Sequence, residues 1–144
     1  MPQTFPKASI STEAARKAIV AAEAKAAEIE VPMVIAVVDD GGVLKAFSRM
    51  DGAALLSVQV AQDKAYTAVG FSMPTHGWHD FIKDDAPLAD GAPTGIDRLV
   101  IFGGGYPITI DDQVVGAIGV SGGHYSQDQE VAEAGLAALG APAG

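Results

Sequence analysis

Residues 114–124 constrain the fold most, because an apolar run is interrupted by glycines and followed by a helix-forming stretch. The run predicts a buried strand, in which Gly116 and Gly119 leave room for a close neighbour. Gly122 and Gly123 can adopt backbone angles that other residues avoid, so the chain can turn here. Free N–H groups at the start of the next helix suit an anion. The segment is therefore either a tight turn or a ligand site.

The size and charge of the chain limit its function. A length of 144 residues predicts a single domain over residues 1–144. The net charge is −9 and the basic residues are scattered, which argues against nucleic acid and anionic membranes as partners. The absence of cysteine excludes disulfides, thiolate metal ligands and a cysteine nucleophile. Without a signal peptide or a membrane-length apolar stretch, a cytoplasmic location is expected.

The first half of the chain has the clearest periodicity. Residues 12–29 place alanines and isoleucines on one stripe, which predicts a helix capped by Ser11 or Thr12. Residues 33–38 predict a strand, and the Asp-Asp-Gly-Gly sequence after it predicts a hairpin turn into a partner strand over 43–49.

Residues 54–70 predict a second helix. Its solvent-exposed face would carry Gln59, Gln62, Asp63, Tyr66 and Gly70. Lys64 falls on the opposite, dry side, near Ser57, Val60, Thr67 and Ala68. A lysine on the dry side needs a partner for its charge.

The second half is less regular. Residues 71–98 are rich in turn residues, with a short helix possible over 78–83, and a stretch of this kind often covers a site or joins subunits. Residues 99–102 and 106–110 predict two more strands, separated by a break at the three glycines 103–105.

A last helix follows, for which Ser126 and Gln129 have the spacing of a capping box. Tight turns between the strands imply antiparallel pairing. The predicted fold is α+β, with a single antiparallel sheet of about five strands covered by helices.

Six sequence fragments occur in a characteristic order. They are VVDDGG (37–42), RMDGA (49–53), AQDKAYTA (61–68), GGGYPI (103–108), VGAIGVSGG (115–123) and DQEVAEAG (128–135). Together they resemble the GlcG/HbpS-like haem-binding family, which includes the C-terminal domain of PduO-type cobalamin adenosyltransferases. The resemblance runs from about residue 9 to residue 139.

The resemblance implies a profilin-like fold and a homo-oligomer, from dimer to octamer. It also implies haem as a cofactor in some members, whereas a few relatives are small-molecule enzymes of catabolic pathways. The first predicted helix carries no histidine, although some haem-binding relatives take an axial ligand from that helix.

Lys64 and Thr67 lie on one side of the second helix and belong to the family motif. Lys64 can hold a carboxylate, either of a substrate or of a haem propionate. The alternative, which we favour from the residues, is an internal ion pair with Asp39, Asp40 or Asp51, whose turns could reach the end of a helix.

The three histidines are His76, His79 and His124. Imidazole binds metals and haem iron and transfers protons near pH 7. His76 and His79 form a weak metal-site candidate, and no other metal site is expected. His124 follows the glycine turn. The predicted ligand-binding residues are Lys64, Thr67, Ser121, Gly122, Gly123 and His124.

The sequence therefore predicts a small-ligand or haem-binding oligomer. The alternative is a small catabolic enzyme, a hydrolase or isomerase acting on an anionic metabolite. In that enzyme His124, or one of the histidines in residues 71–98, would be the general acid or base, and Lys64 would bind a carboxylate. A third interpretation is a structural accessory subunit without a ligand.

Overall fold

The computed structural model describes all 144 residues as five helices and four strands. Their bounds are α1 Thr12–Glu28, β1 Val34–Asp39, β2 Leu44–Arg49, α2 Leu55–Phe71, α3 Trp78–Ile82, α4 Ala86–Gly95, β3 Gly105–Ile110, β4 Gln113–Ser121 and α5 Tyr125–Ala138. A single 3₁₀ turn, Thr75–Gly77, precedes α3. None of the helices is long and apolar enough to cross a bilayer.

The strands form one antiparallel sheet in the order β2-β1-β4-β3. The α+β prediction is thus confirmed, but the expected fifth strand over residues 99–102 is wrong. The backbone of this segment is bonded to a side chain of α2 instead of a neighbouring strand. The Thr67 hydroxyl donates to the Arg98 carbonyl at 2.9 Å and accepts from the Val100 N–H at 3.0 Å.

Helices cover both faces of the sheet. On one face α1 and α5 enclose the main core, to which Ile35, Val37, Ile118 and Val120 contribute. On the other face α2 lies against β1 and β4 through alanines. A Cβ at Gly119 would lie 2.6 Å from the Ala65 nitrogen, so this glycine lets α2 approach the sheet closely.

The ends of the helices follow local chemistry. Ser11 caps α1 as predicted, accepting a hydrogen bond from the Ala14 N–H at 3.1 Å. The predicted capping box of Ser126 and Gln129 is wrong, because α5 begins two residues earlier. His124 is the N-cap, its N–H donates to Gln127 Oε1 at 3.0 Å, and its Nδ1 accepts from the Ser126 N–H.

The stretch over residues 71–98 is more regular than its composition suggests. The short helix expected over 78–83 is confirmed as α3, whereas α4 was not expected. Pro87 lies in the first turn of α4, where its missing N–H would have had no partner in the helix. Asp85 caps this helix through the Leu88 N–H. Proline and glycine at these positions looked like turns because the cap was not recognised.

Candidate functional site

Lys64 of α2 is completely buried, and its ammonium is enclosed by polar partners. Its Nζ donates to Asp128 Oδ2 on α5 at 2.7 Å and to the Val120 carbonyl of β4 at 2.9 Å. The ring of Phe102 covers it from a third direction, with its centroid 5.1 Å from Nζ. The prediction that Lys64 lies on the dry side of α2 is confirmed.

The internal ion pair was expected, but its partner was not. Asp39, Asp40 and Asp51 do not pair with Lys64, so the predicted partners are wrong. The actual partner, Asp128, is 64 residues further along the chain and reaches Lys64 because α5 begins where β4 ends beside α2.

Asp128 also connects the pair to the glycine turn. Its Oδ1 accepts a hydrogen bond from the Gly123 N–H at 3.0 Å. A Cβ at Gly122, whose φ is +149°, would lie 2.7 Å from the Pro32 carbonyl oxygen, so the turn requires glycine there. Asp128 thus occupies the N–H of Gly123, while binding of a ligand anion at the start of the last helix stays a prediction.

Burial dominates the electrostatics of the pair. It lowers the pKa of the Lys64 amine and raises the pKa of the Asp128 carboxyl, because an apolar environment disfavours both charged forms. Their mutual attraction opposes both shifts. Shifted pKa values of this kind occur at functional sites and also in ion pairs of the core.

The three consecutive glycines 103–105, the last of which begins β3, let the chain pass beside this pair. Gly104 has a φ of +125°, and a Cβ there would lie 2.7 Å from Lys64 Nζ. The Gly105 N–H donates to the Thr75 hydroxyl at 2.9 Å. The predicted break between two strands at glycines 103–105 is wrong, because no strand precedes it and Gly105 already belongs to β3. These glycines instead allow close packing against α2.

The remaining polar candidates all have partners within the fold. The Thr67 hydroxyl holds the backbone of Arg98 and Val100. The Ser121 hydroxyl donates to Ser57 Oγ at 3.2 Å. Both hydroxyls are therefore engaged within the fold. Their predicted role in ligand binding stays a prediction.

His76 and His79 lie in one cleft of about 370 Å³. The other lining residues are Asp80, Ile101, Phe102, Gly103 and Tyr125. His124 borders this cleft, because its ring centroid is 4.0 Å from that of Tyr125. No group of three histidine, cysteine or acidic side chains is placed to hold a metal ion.

The one acidic side chain that lines the cleft is paired. Asp80 forms an ion pair with Lys83 at 3.1 Å. Behind His76 lies Tyr106, whose ring centroid is 5.4 Å away. Burial, together with the bond from its hydroxyl to Glu133, raises the pKa of Tyr106 to about 12. The cleft therefore offers imidazoles and aromatic faces, but no free cation among its lining residues.

A larger cavity of about 560 Å³ lies elsewhere, between the segment before α1 and the β3–β4 turn. Its lining contains no histidine, no aromatic residue and none of the predicted site residues. Size alone would favour this cavity, but the chemistry favours the cleft with the two histidines.

Sequence reasoning missed Phe102, Tyr125 and the role of Asp128. Asp128 had a detectable signal, because it shares the apolar stripe of α5 with Val131 and Gly135, where an acid needs a partner. Phe102 and Tyr125 had none, because each enters the cleft from a different loop or helix end.

Comparison with known proteins agrees with this architecture. Residues 10–137 match the family model described as haem degrading protein HbpS-like. The chain belongs to the HbpS-like family. The resemblance drawn from the six sequence fragments is thereby confirmed.

Similar proteins cover most of this HbpS-like chain. It is 44% identical over 129 residues to an uncharacterized 15.0 kDa protein of the dhaT-dhaS intergenic region of Citrobacter freundii, covering 90% of this chain and 91% of the relative. The crystal structure of Klebsiella pneumoniae ORFY superposes with a TM-score of 0.91 at 36% identity, covering 97% of both chains. A crystal structure of a PduOC:haem complex gives a TM-score of 0.87 at 32% identity, covering 94% of this chain and 98% of that one.

Proposed function

We propose that this HbpS-like protein binds haem in the cleft that contains His76 and His79. The observation that carries the proposal is the meeting of both imidazoles with the rings of Phe102 and Tyr125 in one cavity. The similar PduOC structure, which is a haem complex, supports it.

The side chains of the cleft fit the chemistry of haem. The imidazole of His76 or His79 is a ligand that haem iron accepts. Phe102, Tyr125 and Ile101 supply apolar surface against the faces of the macrocycle. Lys64 does not reach the cleft surface in this structure, so a propionate would meet it only if Phe102 moved.

A hemin titration tests the proposal. We expect a Soret band that saturates at a fixed stoichiometry in the parent protein and is lost or shifted in His76→Ala combined with His79→Ala. His124→Ala is the matched control, because His124 is exposed at the rim and does not line the cleft. Loss of the band in His124→Ala alone would show that His124 is the iron ligand, as a ligand-binding role for this residue was predicted from the sequence. Unsaturable, featureless uptake by the parent would contradict haem binding.

We also propose a homo-oligomer, as the family resemblance implies. Exposed apolar side chains on the edge strand β2 and at the start of α2 support it. They include Leu44 and Phe47, together with Leu55 and Leu56, which are 82% and 81% exposed. Native mass spectrometry should give a multiple of the 14.7 kDa chain, and Leu55→Ser with Leu56→Ser should reduce that multiple. A parent protein that is monomeric at micromolar concentration would contradict the assembly.

A further inference from the structure

One aromatic ring both lines the cleft and lies over the buried amine of Lys64. Phe102 lines the cleft and is 47% exposed, whereas Lys64 behind it has no exposed surface. Nζ lies 5.1 Å from the centroid of the Phe102 ring. Displacement of this side chain would therefore connect the cleft with the amine.

The ammonium of Lys64 also has an unused hydrogen-bonding direction. An ammonium has three donors, and two of them are bonded to Asp128 and the Val120 carbonyl. Beyond these two bonds, Nζ makes a weaker cation–π contact with the ring of Phe102. A small molecule that replaced the ring would gain contact with a lysine already held beside a carboxylate.

We propose that Lys64 is a nucleophilic amine that forms an imine with a small neutral aldehyde or ketone entering the cleft behind Phe102. A neutral compound is favoured because Asp80 is the one charged residue lining the cleft. This activity goes beyond haem binding and involves neither histidine.

The step balances within the pair. Asp128 takes a proton from the ammonium across 2.7 Å, which leaves a neutral amine and a neutral carboxyl. The amine attacks the carbonyl carbon, and a carbinolamine forms after the nitrogen proton passes to the oxygen. Protonation of its hydroxyl by Asp128 releases water and leaves a protonated imine beside the carboxylate.

The environment favours the neutral forms that this step needs. Burial lowers the pKa of Lys64 and raises the pKa of Asp128, so transferring the proton between them costs less than in water. The five other lysines, Lys7, Lys17, Lys25, Lys45 and Lys83, lack a buried carboxylate partner.

Reductive trapping on the haem-free, full-length protein tests the inference. The protein is exposed briefly at neutral pH to acetaldehyde with cyanoborohydride, and ethylated lysines are mapped by peptide mass spectrometry. We expect Lys64 to be modified ahead of the exposed Lys17. In Phe102→Ala, modification of Lys64 should rise by at least about tenfold, because the aldehyde can reach the amine without a minor conformation in which Phe102 is displaced. Lys17 should be unchanged.

Phe81→Ala is the matched control, since Phe81 is similarly exposed but does not lie over Lys64. Phe102→Leu, which keeps an apolar cover, provides a second variant if alanine disturbs the fold. Absence of label at Lys64 in the parent and in both Phe102 variants overturns the proposal, as does an equal rise in Phe81→Ala. Since no haem is present, this outcome is independent of the hemin titration.

Discussion

Neutralising one member of the Lys64–Asp128 pair should destabilise the fold far more than removing both charges. The informative variants are Lys64→Met, Asp128→Asn and the double variant. Methionine keeps much of the length of lysine, and asparagine keeps an oxygen to accept from the Gly123 N–H. The comparison therefore isolates the charges from packing and from the glycine turn.

The geometry sets the magnitude. At 2.7 Å the attraction between the two charges is about 6 kcal/mol at an effective dielectric constant of 20. Burial of each ion costs several kcal/mol, so the intact pair contributes little net stability. A single variant keeps the cost of burial without the attraction. The remaining group can avoid that cost by becoming neutral. At pH 7 this neutralisation costs about 4–5 kcal/mol, given the ordinary pKa of either group.

We therefore expect each single variant to lower the free energy of unfolding by about 3–5 kcal/mol, and the double variant by markedly less than the sum. Urea unfolding followed by circular dichroism measures these differences. In thermal melts the single variants should lose roughly 10–20 °C, at about 3–4 °C per kcal/mol for a domain of this size.

The two single variants should also respond to pH in opposite directions. In Asp128→Asn the unpaired Lys64 has a lowered pKa, so the unfolded state binds more protons and stability rises as pH increases. In Lys64→Met the unpaired Asp128 has a raised pKa, so the folded state binds more protons and stability rises as pH decreases. Single variants within about 1 kcal/mol of the parent, or additive losses in the double variant, would refute a dry, coupled pair.

Three further predictions concern the backbone and Tyr106. Asp111 and Asp112 form the two-residue β3–β4 turn, with φ of +51° and +62°. Because Asn-Gly suits such a turn better, Asp111→Asn with Asp112→Gly should raise the free energy of unfolding by about 1 kcal/mol. An unchanged midpoint of urea unfolding would contradict this. Gly104→Ala should cost more than about 3 kcal/mol, because its Cβ would approach three neighbouring atoms within 3 Å. Gly140→Ala, at φ +66° in open space, should cost only about 1 kcal/mol, and equal losses would refute the packing argument. The pKa of Tyr106 is raised to about 12 by burial, so stability should fall between about pH 10 and 12 in the parent but less in Tyr106→Phe, as measured by urea unfolding across that range.

The sequence by itself determined those elements whose signals are local. The alanine stripe of α1 and its Ser11 cap fix that helix, and the Asp-Asp-Gly-Gly turn fixes the β1–β2 hairpin. The periodicity of α2 was sufficient to place Lys64 on the dry side, because a helix repeats every 3.6 residues whatever surrounds it.

Tertiary structure alone decided what those residues meet. Lys64 pairs with Asp128 across 64 residues, and no spacing along the chain encodes which acid will arrive there. The segment 99–102 has the composition of a strand, but its Val100 N–H is bonded to the Thr67 hydroxyl of α2 and no strand pairs with it. His76, Phe102 and Tyr125 share a cleft because the 3₁₀ turn, the segment before β3 and the start of α5 lie side by side in the fold. Burial and proximity depend on the whole packed chain, whereas helices and turns depend on near neighbours.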